Sequence, residues 1–374
     1  MWGGCGAWVE SGVDGWGQVE RAGGAVASGA KAAALRWRLR HIGWLYGGRG
    51  AGGRSPWVRG RVLASLAVLT AGLLAFHSAV PNAVGRLGSL LETFLPWLGL
   101  AVPLLLVAAL LRRSALALVA LLLPAAVWGY LFGGLLPAGD RGAHDIMAVQ
   151  HNVSDENAAP AGTATALIEA APDLVALEEL TSSALPVYEK ALASDYPFRA
   201  VVGTVGLWSK YPLSDVRPLD IKPEGIREDW NRGVRSTART PWGDIAVYVA
   251  HLPSVRIRGN GFSTGWRDES AGLLGDAIAA EKLDRMILLG DLNSTLDDRG
   301  LAPVTSRMDS AGRAFAFSWP EAFPVSRIDH IMARSATVTS IRTLPATGSD
   351  HLPIAAGIRL AQDQHRTLGR GNGA

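Results

Sequence analysis

Cysteine is almost missing from this chain: of its 374 residues, Cys5 alone is a cysteine. That excludes a disulfide framework, so a folded domain here must draw its stability from its core. Paired Cys or His spacings and an HExxH motif are also lacking, which removes the usual zinc patterns. An excess of basic charge is missing where it would matter. The whole chain carries a formal +3, yet from residue 141 onward 24 Lys and Arg face 28 Asp and Glu. Non-specific grip on nucleic acid needs a basic surface to neutralise phosphates, so no stable nucleic-acid partner is expected for that portion.

Charge is nearly absent from three long apolar stretches at 62–80, 87–111 and 115–136, where His77 and Glu92 stand out as ionisable. Each approaches or exceeds the roughly 20 residues an α-helix needs to cross a hydrocarbon core. Three transmembrane helices are therefore expected within 61–137. Arg36, Arg38, Arg40, Arg49, Arg54, Arg59 and Arg61 precede the first stretch and Arg112 and Arg113 separate the last two, whereas Arg86 alone lies between the first two. The positive-inside rule puts the amino terminus in the cytoplasm, and an odd number of spans leaves everything after residue 136 outside. The chain thus reads as a multi-pass cell-membrane protein with an extracytoplasmic domain at 141–361. Residues 1–60, rich in Gly, Ala, Arg and Trp without lasting apolar periodicity, read as a disordered basic cytoplasmic tail with a short surface helix near 33–46; 362–374 read as a second disordered tail.

Within the domain the most informative segment is GDLNST at 290–295, after the apolar run MILL and about sixty residues before SDH at 349–351. Alternation along an extended chain points Asp291 and Asn293 the same way. Gly, Asp and Asn are also ordinary turn residues, so the segment gains meaning from its company. VQHNVSDEN (149–157) puts Asn152 at a strand end, and DLVALEEL (173–180) does the same for Glu178 and Glu179. VYVAHLPS (247–254) presents His251, SRIDHIMA (326–333) presents Asp329 and His330, and SDHLPI (349–354) presents Asp350 and His351. Polar groups at the ends of several apolar strands are how rigid scaffolds aim a catalytic site. Helical runs at 161–171 and 270–282 alternate with the strands, implying a layered α/β fold.

This ordered series resembles the endonuclease/exonuclease/phosphatase superfamily over roughly 145–360. The resemblance implies a four-layer α/β sandwich of two facing sheets with helices outside. It implies that Glu179, the second glutamate of LEE where LQE is usual, binds a divalent metal. Glu178 then reads as a solvated neighbour, because adjacent strand residues face opposite ways. Asn152 and Glu179 are the expected ligands of magnesium, or manganese in its stead, with Asp350 near the same or a second position. Asp291 and Asn293 would orient the attacking water and the phosphoryl group. His351 would bond or protonate a phosphoryl oxygen with Asp329 orienting its ring, and His251 would serve the leaving group. His330, His144 and His365 read as structural.

Three spans joined to such a domain, with LLETFLPWLG at 90–99, resemble the VanJ-type teicoplanin-resistance membrane proteins of actinobacteria. That resemblance implies dephosphorylation of an undecaprenyl-type lipid pyrophosphate at the outer leaflet, with membrane lipids as neighbours. A surface nuclease and an inactive envelope binding protein are the alternatives. Among the arginines of IREDWNRGVRSTART and GWRDES, Arg235 and Arg267 are candidate phosphate ligands, Arg267 because a helix is expected to begin just after it. Arg227 and Arg232 read as solvated. Trp208, Trp230 and Trp266 could form an aromatic rim, with buried packing equally open for Trp208.

Overall fold

A computed structural model describes residues 57–135, 143–227, 229–259, 261–310 and 314–361. The two terminal tails expected from the sequence, and the helix near 33–46, lie outside these residues apart from positions 57–60. The chain divides into two compact units, one from residues up to Val68 with Val102–Leu123, the other from Leu69–Ala101 with Pro124 onward.

The apolar region departs from three uninterrupted spans. Helix Arg61–Ala75 has 15 residues and gives way to a 3-10 turn at His77–Ala79. At about 1.5 Å per residue it is shorter than a hydrocarbon core. The second stretch is broken. Helix Leu87–Thr93 ends at Phe94, and a 3-10 segment, Leu95–Leu100, leads into helix Ala101–Leu111 at a bend of 70°. Pro96 explains the break, since proline lacks the N–H a continuing helix would need. Ala115–Phe132 is long and apolar enough to cross a membrane, and the bent pair makes a second candidate only if taken as one span.

In the first unit, Ala67, Ala109, Ala117 and Leu121 are buried together, small residues that permit close helix approach. Ser114 caps helix Ala115–Ala120 by accepting the Ala117 N–H at 3.2 Å. Much of the outer apolar surface is bare: Val62 is 72 % exposed, Leu104 70 % and Leu111 81 %.

The second unit holds the strands. The first half of the domain runs β1 (Ile146–Asn152), helix Pro160–Glu169, β2 (Leu174–Glu178), helix Leu185–Leu192, β3 (Phe198–Val202) and β4 (Val205–Ser209). Next come β5 (Leu213–Pro218), β6 (Gly233–Thr240), β7 (Gly243–Ala250) and a short ribbon, β8 (Arg256–Arg258) with β9 (Gly261–Ser263). Helix Gly265–Ala279 leads to β10 (Met286–Asp291), helix Ala302–Thr305, β11 (Asp309–Ser310), β12 (Asp329–Arg334), β13 (Ala336–Thr343) and β14 (Ile354–Leu360). One six-stranded sheet has the order β13-β14-β1-β2-β4-β3, the other β11-β12-β10-β7-β6-β5.

Side-chain alternation makes this a sandwich. Ile146 and Ala148, Leu174 and Ala176, Ile245, Val247 and Val249, and Ile287 and Leu289 form one core between the sheets. The alternate residues Val149, Val175 and Leu177 pack on helices Pro160–Glu169 and Leu185–Leu192. Ala246, Tyr248, Met286 and Leu288 pack on helices Gly265–Ala279 and Ala302–Thr305. Four layers result, helix, sheet, sheet, helix, as the sequence predicts for the domain.

Candidate active site

The inter-sheet face continues past its apolar residues into polar ones. Counting by twos, Ala148 leads to Gln150 and Asn152, Ala176 to Glu178, Val249 to His251, and Leu289 to Asp291, while Asp329 begins the inward set of β12. Register brings them level: Asn152 lies beside Glu178 on parallel strands, and Asp291 opposite Asp329 on antiparallel ones. The strands bury all six side chains at one end of the seam. Gly290 lets β10 come this close to β7, since a Cβ there would sit 1.9 Å from the Ala250 carbonyl oxygen.

Asp329 and His351 form the tightest pair, with Oδ2 2.8 Å from Nδ1. Burial alone would suppress the imidazolium, but the charges of Asp329 and Asp291 outweigh it and raise His351 to about 10. Burial likewise works to raise Asp329, and the His351 charge holds it down to about 2. The pair is therefore an imidazolium on a carboxylate at neutral pH. Ser349 sets the approach, its hydroxyl donating to the Asn152 carbonyl at 2.7 Å and accepting the His351 N–H at 3.0 Å.

Asp291 differs from Asp329. Burial, then the charge of Asp329, pushes it up to about 7. Its Oδ2 lies 3.6 Å from His251 Nε2 and 3.8 Å from His351 Nε2 and accepts from Asn152 Nδ2 at 3.1 Å. Asn293 clamps it. The Asn293 backbone N–H donates to Asp291 Oδ1 at 2.9 Å, and its amide donates to Oδ2 at 3.2 Å and to the Leu252 carbonyl at 2.9 Å. Asn293 thus fixes the carboxylate instead of presenting a free amide to a phosphoryl oxygen. His251 is fully buried, and its desolvation, followed by the charge of Arg232, drives it well below the usual imidazole range, so it is neutral.

The two glutamates exchange the surroundings expected of them. Glu178 is not solvated: it is fully buried and accepts from Gln150 Nε2 at 2.8 Å, while the same nitrogen donates to Asp329 Oδ1 at 2.9 Å. Burial, with the Asp329 charge behind it, raises Glu178 well above the carboxylate range and keeps it protonated. Glu179 lies just past the strand at φ 61°, a left-handed conformation that swings it to the rim, 27 % exposed. Its Oε2 accepts the Asp155 N–H at 3.2 Å, and Oε1 lies 3.8 Å from His251 Nε2. Strand parity would have turned Glu179 away; the left-handed turn returns it to the site.

Carboxylate oxygens of Glu179 and Asp291 lie 3.8 and 3.6 Å from His251 Nε2, hard donors suited to a divalent cation, while Asn152 turns its amide nitrogen to Asp291 and its Oδ1 accepts the Ser154 N–H at 3.1 Å. The fit has a physical sign: a buried Asp291 whose ion-pair neighbours among the described residues are imidazoles is pushed up in pKa, as expected where a cation's charge is wanted. Asp291, Asp329 and His351 also lie within 4.8 Å of one another, but the bond between the last two already occupies their facing atoms. Asp350 is exposed and acts on His351 through charge. His330 is buried against the Ser294 carbonyl at 2.7 Å.

The two arginines expected at the phosphate are engaged elsewhere. Arg235 bonds Glu281 through Nε at 2.9 Å and Nη2 at 3.1 Å and also meets Asp215, on the helix side of its sheet. Arg267 lies inside the first turn of helix Gly265–Ala279, not before it. It pairs with Asp298 at 2.6 Å and Asp268 at 2.8 Å and donates to the Asn293 carbonyl at 3.3 Å, which makes it a strut under the Asp291 loop. Arg232, read from the sequence as solvated, reaches the site, its Nη1 3.4 Å from His251. The spelling Gly261-Phe-Ser-Thr-Gly265 matches a serine-hydrolase elbow, but Ser263 is exposed on the β8–β9 ribbon in a cavity with no histidine in its lining. Gln150 was missed by the sequence reading. Alternation back from Asn152 would have found it.

Solved structures similar to the chain include the endonuclease/exonuclease/phosphatase from Bacteroides vulgatus, at 16 % identity and TM-score 0.48, covering 57 % of this chain and 98 % of that one. The endonuclease/exonuclease/phosphatase from Beutenbergia cavernae aligns at 17 % identity and TM-score 0.47 over 59 % and 72 %. A mutant beta toxin from Staphylococcus aureus with bound magnesium ions aligns at 16 % and 0.45 over 57 % and 99 %. No curated protein matches the sequence significantly. The endonuclease/exonuclease/phosphatase family model matches residues 149–351, more than half of the chain and a range that includes every candidate site residue of the seam, and the chain belongs to that family of metal-dependent phosphoester hydrolases.

Proposed function

We propose that this chain is a membrane-anchored, outward-facing phosphatase of the VanJ type, from an actinobacterial source, that removes phosphate from an undecaprenyl-type lipid pyrophosphate with magnesium as its metal. The observation that carries the lipid reading is the tie between the catalytic domain and the apolar segment. Arg299, next to the Asp291 loop, bonds the buried Glu92 at 2.7 and 2.9 Å, and Arg86 bonds Asp268 at 2.6 Å. Trp97 donates to the Val325 carbonyl at 2.8 Å. These contacts hold the catalytic domain against the start of the second apolar stretch. Bare Leu and Val on the apolar helices exceed what a water-facing surface carries and suit a bilayer.

Glu179 and Asn152 would hold the divalent ion, whose charge offsets that of the phosphoryl oxygens. Asp291, near neutrality and clamped by Asn293, accepts the proton of the attacking water. His351, kept cationic by Asp329, donates to a phosphoryl oxygen as its charge grows. Neutral His251, beside Arg232, faces the same space from the other sheet.

The test is phosphate release from undecaprenyl pyrophosphate by the full chain in detergent with magnesium, run beside plasmid DNA. Chelator-sensitive phosphate release with intact plasmid is expected. Plasmid cleavage without lipid turnover would replace the phosphatase by a nuclease, and the acidic balance after residue 141 weighs against that outcome.

A further inference from the structure

Beside the catalytic seam lies a cavity of about 840 Å³ whose lining includes six arginines, Arg86, Arg227, Arg232, Arg256, Arg258 and Arg267, and, among the described residues, no Asp or Glu. Three of these are neutralised nearby: Arg86 by Asp268 at 2.6 Å, Arg227 by Asp229 at 2.9 Å and Arg267 by Asp298 at 2.6 Å. Arg232, Arg256 and Arg258 have no carboxylate in ion-pair range among the described residues. Arg232 is half-buried, stacks over the Trp230 ring at 5.4 Å and lies 3.4 Å from His251, so it links the cavity wall to the candidate site. Concave walls of one sign concentrate potential, and a guanidinium fork matches phosphate oxygens.

We propose that this cavity binds a second phosphate of the substrate, adjacent to the one attacked in the seam, through Arg232, Arg256 and Arg258. The proposal rests on the reading of the substrate as a diphosphate. Its wall is built, not incidental. Gly261, at φ 118°, brings the β8–β9 ribbon so near the segment at 82–86 that a Cβ there would lie 2.3 Å from Gly85 Cα. The Phe262 N–H donates to the Gly85 carbonyl at 2.9 Å and closes the seam. Segment 82–86 precedes the second apolar stretch, so the anion site is framed on one side by the membrane-proximal chain. Trp230 and the exposed Trp266 also line it, offering apolar surface next to the charge. Neither arginine assigned to phosphate from the sequence supplies this charge. Two of the three that do stand on β8.

Isothermal titration of the full chain in detergent with inorganic pyrophosphate and with inorganic phosphate reads the site without turnover. The double variant Arg256→Gln/Arg258→Gln should weaken pyrophosphate about tenfold or more, the scale of a lost charge-assisted pair, and leave phosphate unchanged. In turnover its KM for geranyl diphosphate and for ADP should rise together, with kcat and the hydrolysis of geranyl monophosphate unchanged. A rise confined to geranyl diphosphate would mean that the arginines act on the chain and would overturn the proposal, as would wild-type pyrophosphate affinity in the variant. The single variants Arg256→Gln and Arg258→Gln, each with a smaller loss, guard against misfolding of the pair. Should wild type bind pyrophosphate through these arginines yet release nothing from geranyl diphosphate, the lipid-phosphatase reading falls and the anion site stands.

Discussion

Glu178 and Glu179 are consecutive carboxyls with opposite fates, and the difference is one backbone angle. Glu178 keeps strand parity and is sealed between the sheets as a neutral acid, while Glu179 turns left-handed and meets solvent. A neutral acid that accepts from Gln150 is nearly isosteric with an amide. Glu178→Gln should therefore keep turnover within about threefold, whereas Glu179→Gln, which removes charge from a hard-ion ligand, should raise the magnesium requirement and lower turnover tenfold or more. Magnesium titrations of the two variants decide this; equal damage from both would remove the assignment. His351 offers a second test. A group raised to about 10 stays protonated below that pH, so turnover that needs the imidazolium should hold through neutrality and fall as pH climbs toward 10. Asp329→Asn removes the partner that raises it, and the alkaline limb should move toward 6.5. His351→Ala should cost roughly two to four powers of ten, and adding Asp329→Ala little more, because the pair acts as a unit. A pH–rate profile unchanged by Asp329→Asn would refute the pairing.

At the scale of elements, Glu281 joins the end of helix Gly265–Ala279 to the outer face of its sheet. It receives a two-pronged bond from Arg235, the Tyr248 hydroxyl at 2.9 Å and the Leu283 N–H at 3.0 Å. Burial acts to raise its pKa, and the Arg235 bonds prevail and hold it near 2, against 4.5 for a free glutamate. A depressed carboxyl stabilises the fold above its unfolded value and loses that contribution as pH falls from 4.5 toward 2. Glu281→Gln should lower the unfolding temperature at pH 7, and the gap to wild type should close as pH nears 2. A gap independent of pH would mean packing, not ionisation, carries the tie. The sequence marked Arg235 as a phosphate ligand because charge in a loop-rich run looks available. Parity along β6 put it on the helix side instead, where Glu281 and Asp215 occupy it.

For the whole molecule, the proposed anchoring predicts on which side of a membrane the catalytic layers lie. With the amino terminus inside, an external protease added to spheroplasts should remove the domain after residue 136 and spare the amino-terminal tail. Protection of the domain would reverse the orientation and remove the outer-leaflet substrate. The contacts of Glu92 with Arg299 and of Arg86 with Asp268 hold the start of the second apolar stretch against the catalytic domain.

The sequence alone determined the family, the layered α/β sandwich and which residues would meet at the strand ends, because each depends on local periodicity: apolar strands of period two ending in Asn152, His251, Asp291 and Asp329, in a fixed order. It also located the apolar stretches, since length and lack of charge are one-dimensional. Tertiary structure decided what periodicity cannot reach. The bend at Phe94, the left-handed turn at Glu179, the burial of Glu178 beside Gln150, and the choice of Arg232, Arg256 and Arg258 over Arg235 and Arg267 all depend on what lies opposite in space. Charge written along a chain says nothing of its partner. A carboxylate 46 residues away in sequence and 2.9 Å away in space neutralises Arg235, and among the described residues no carboxylate comes into ion-pair range of the arginines of β8.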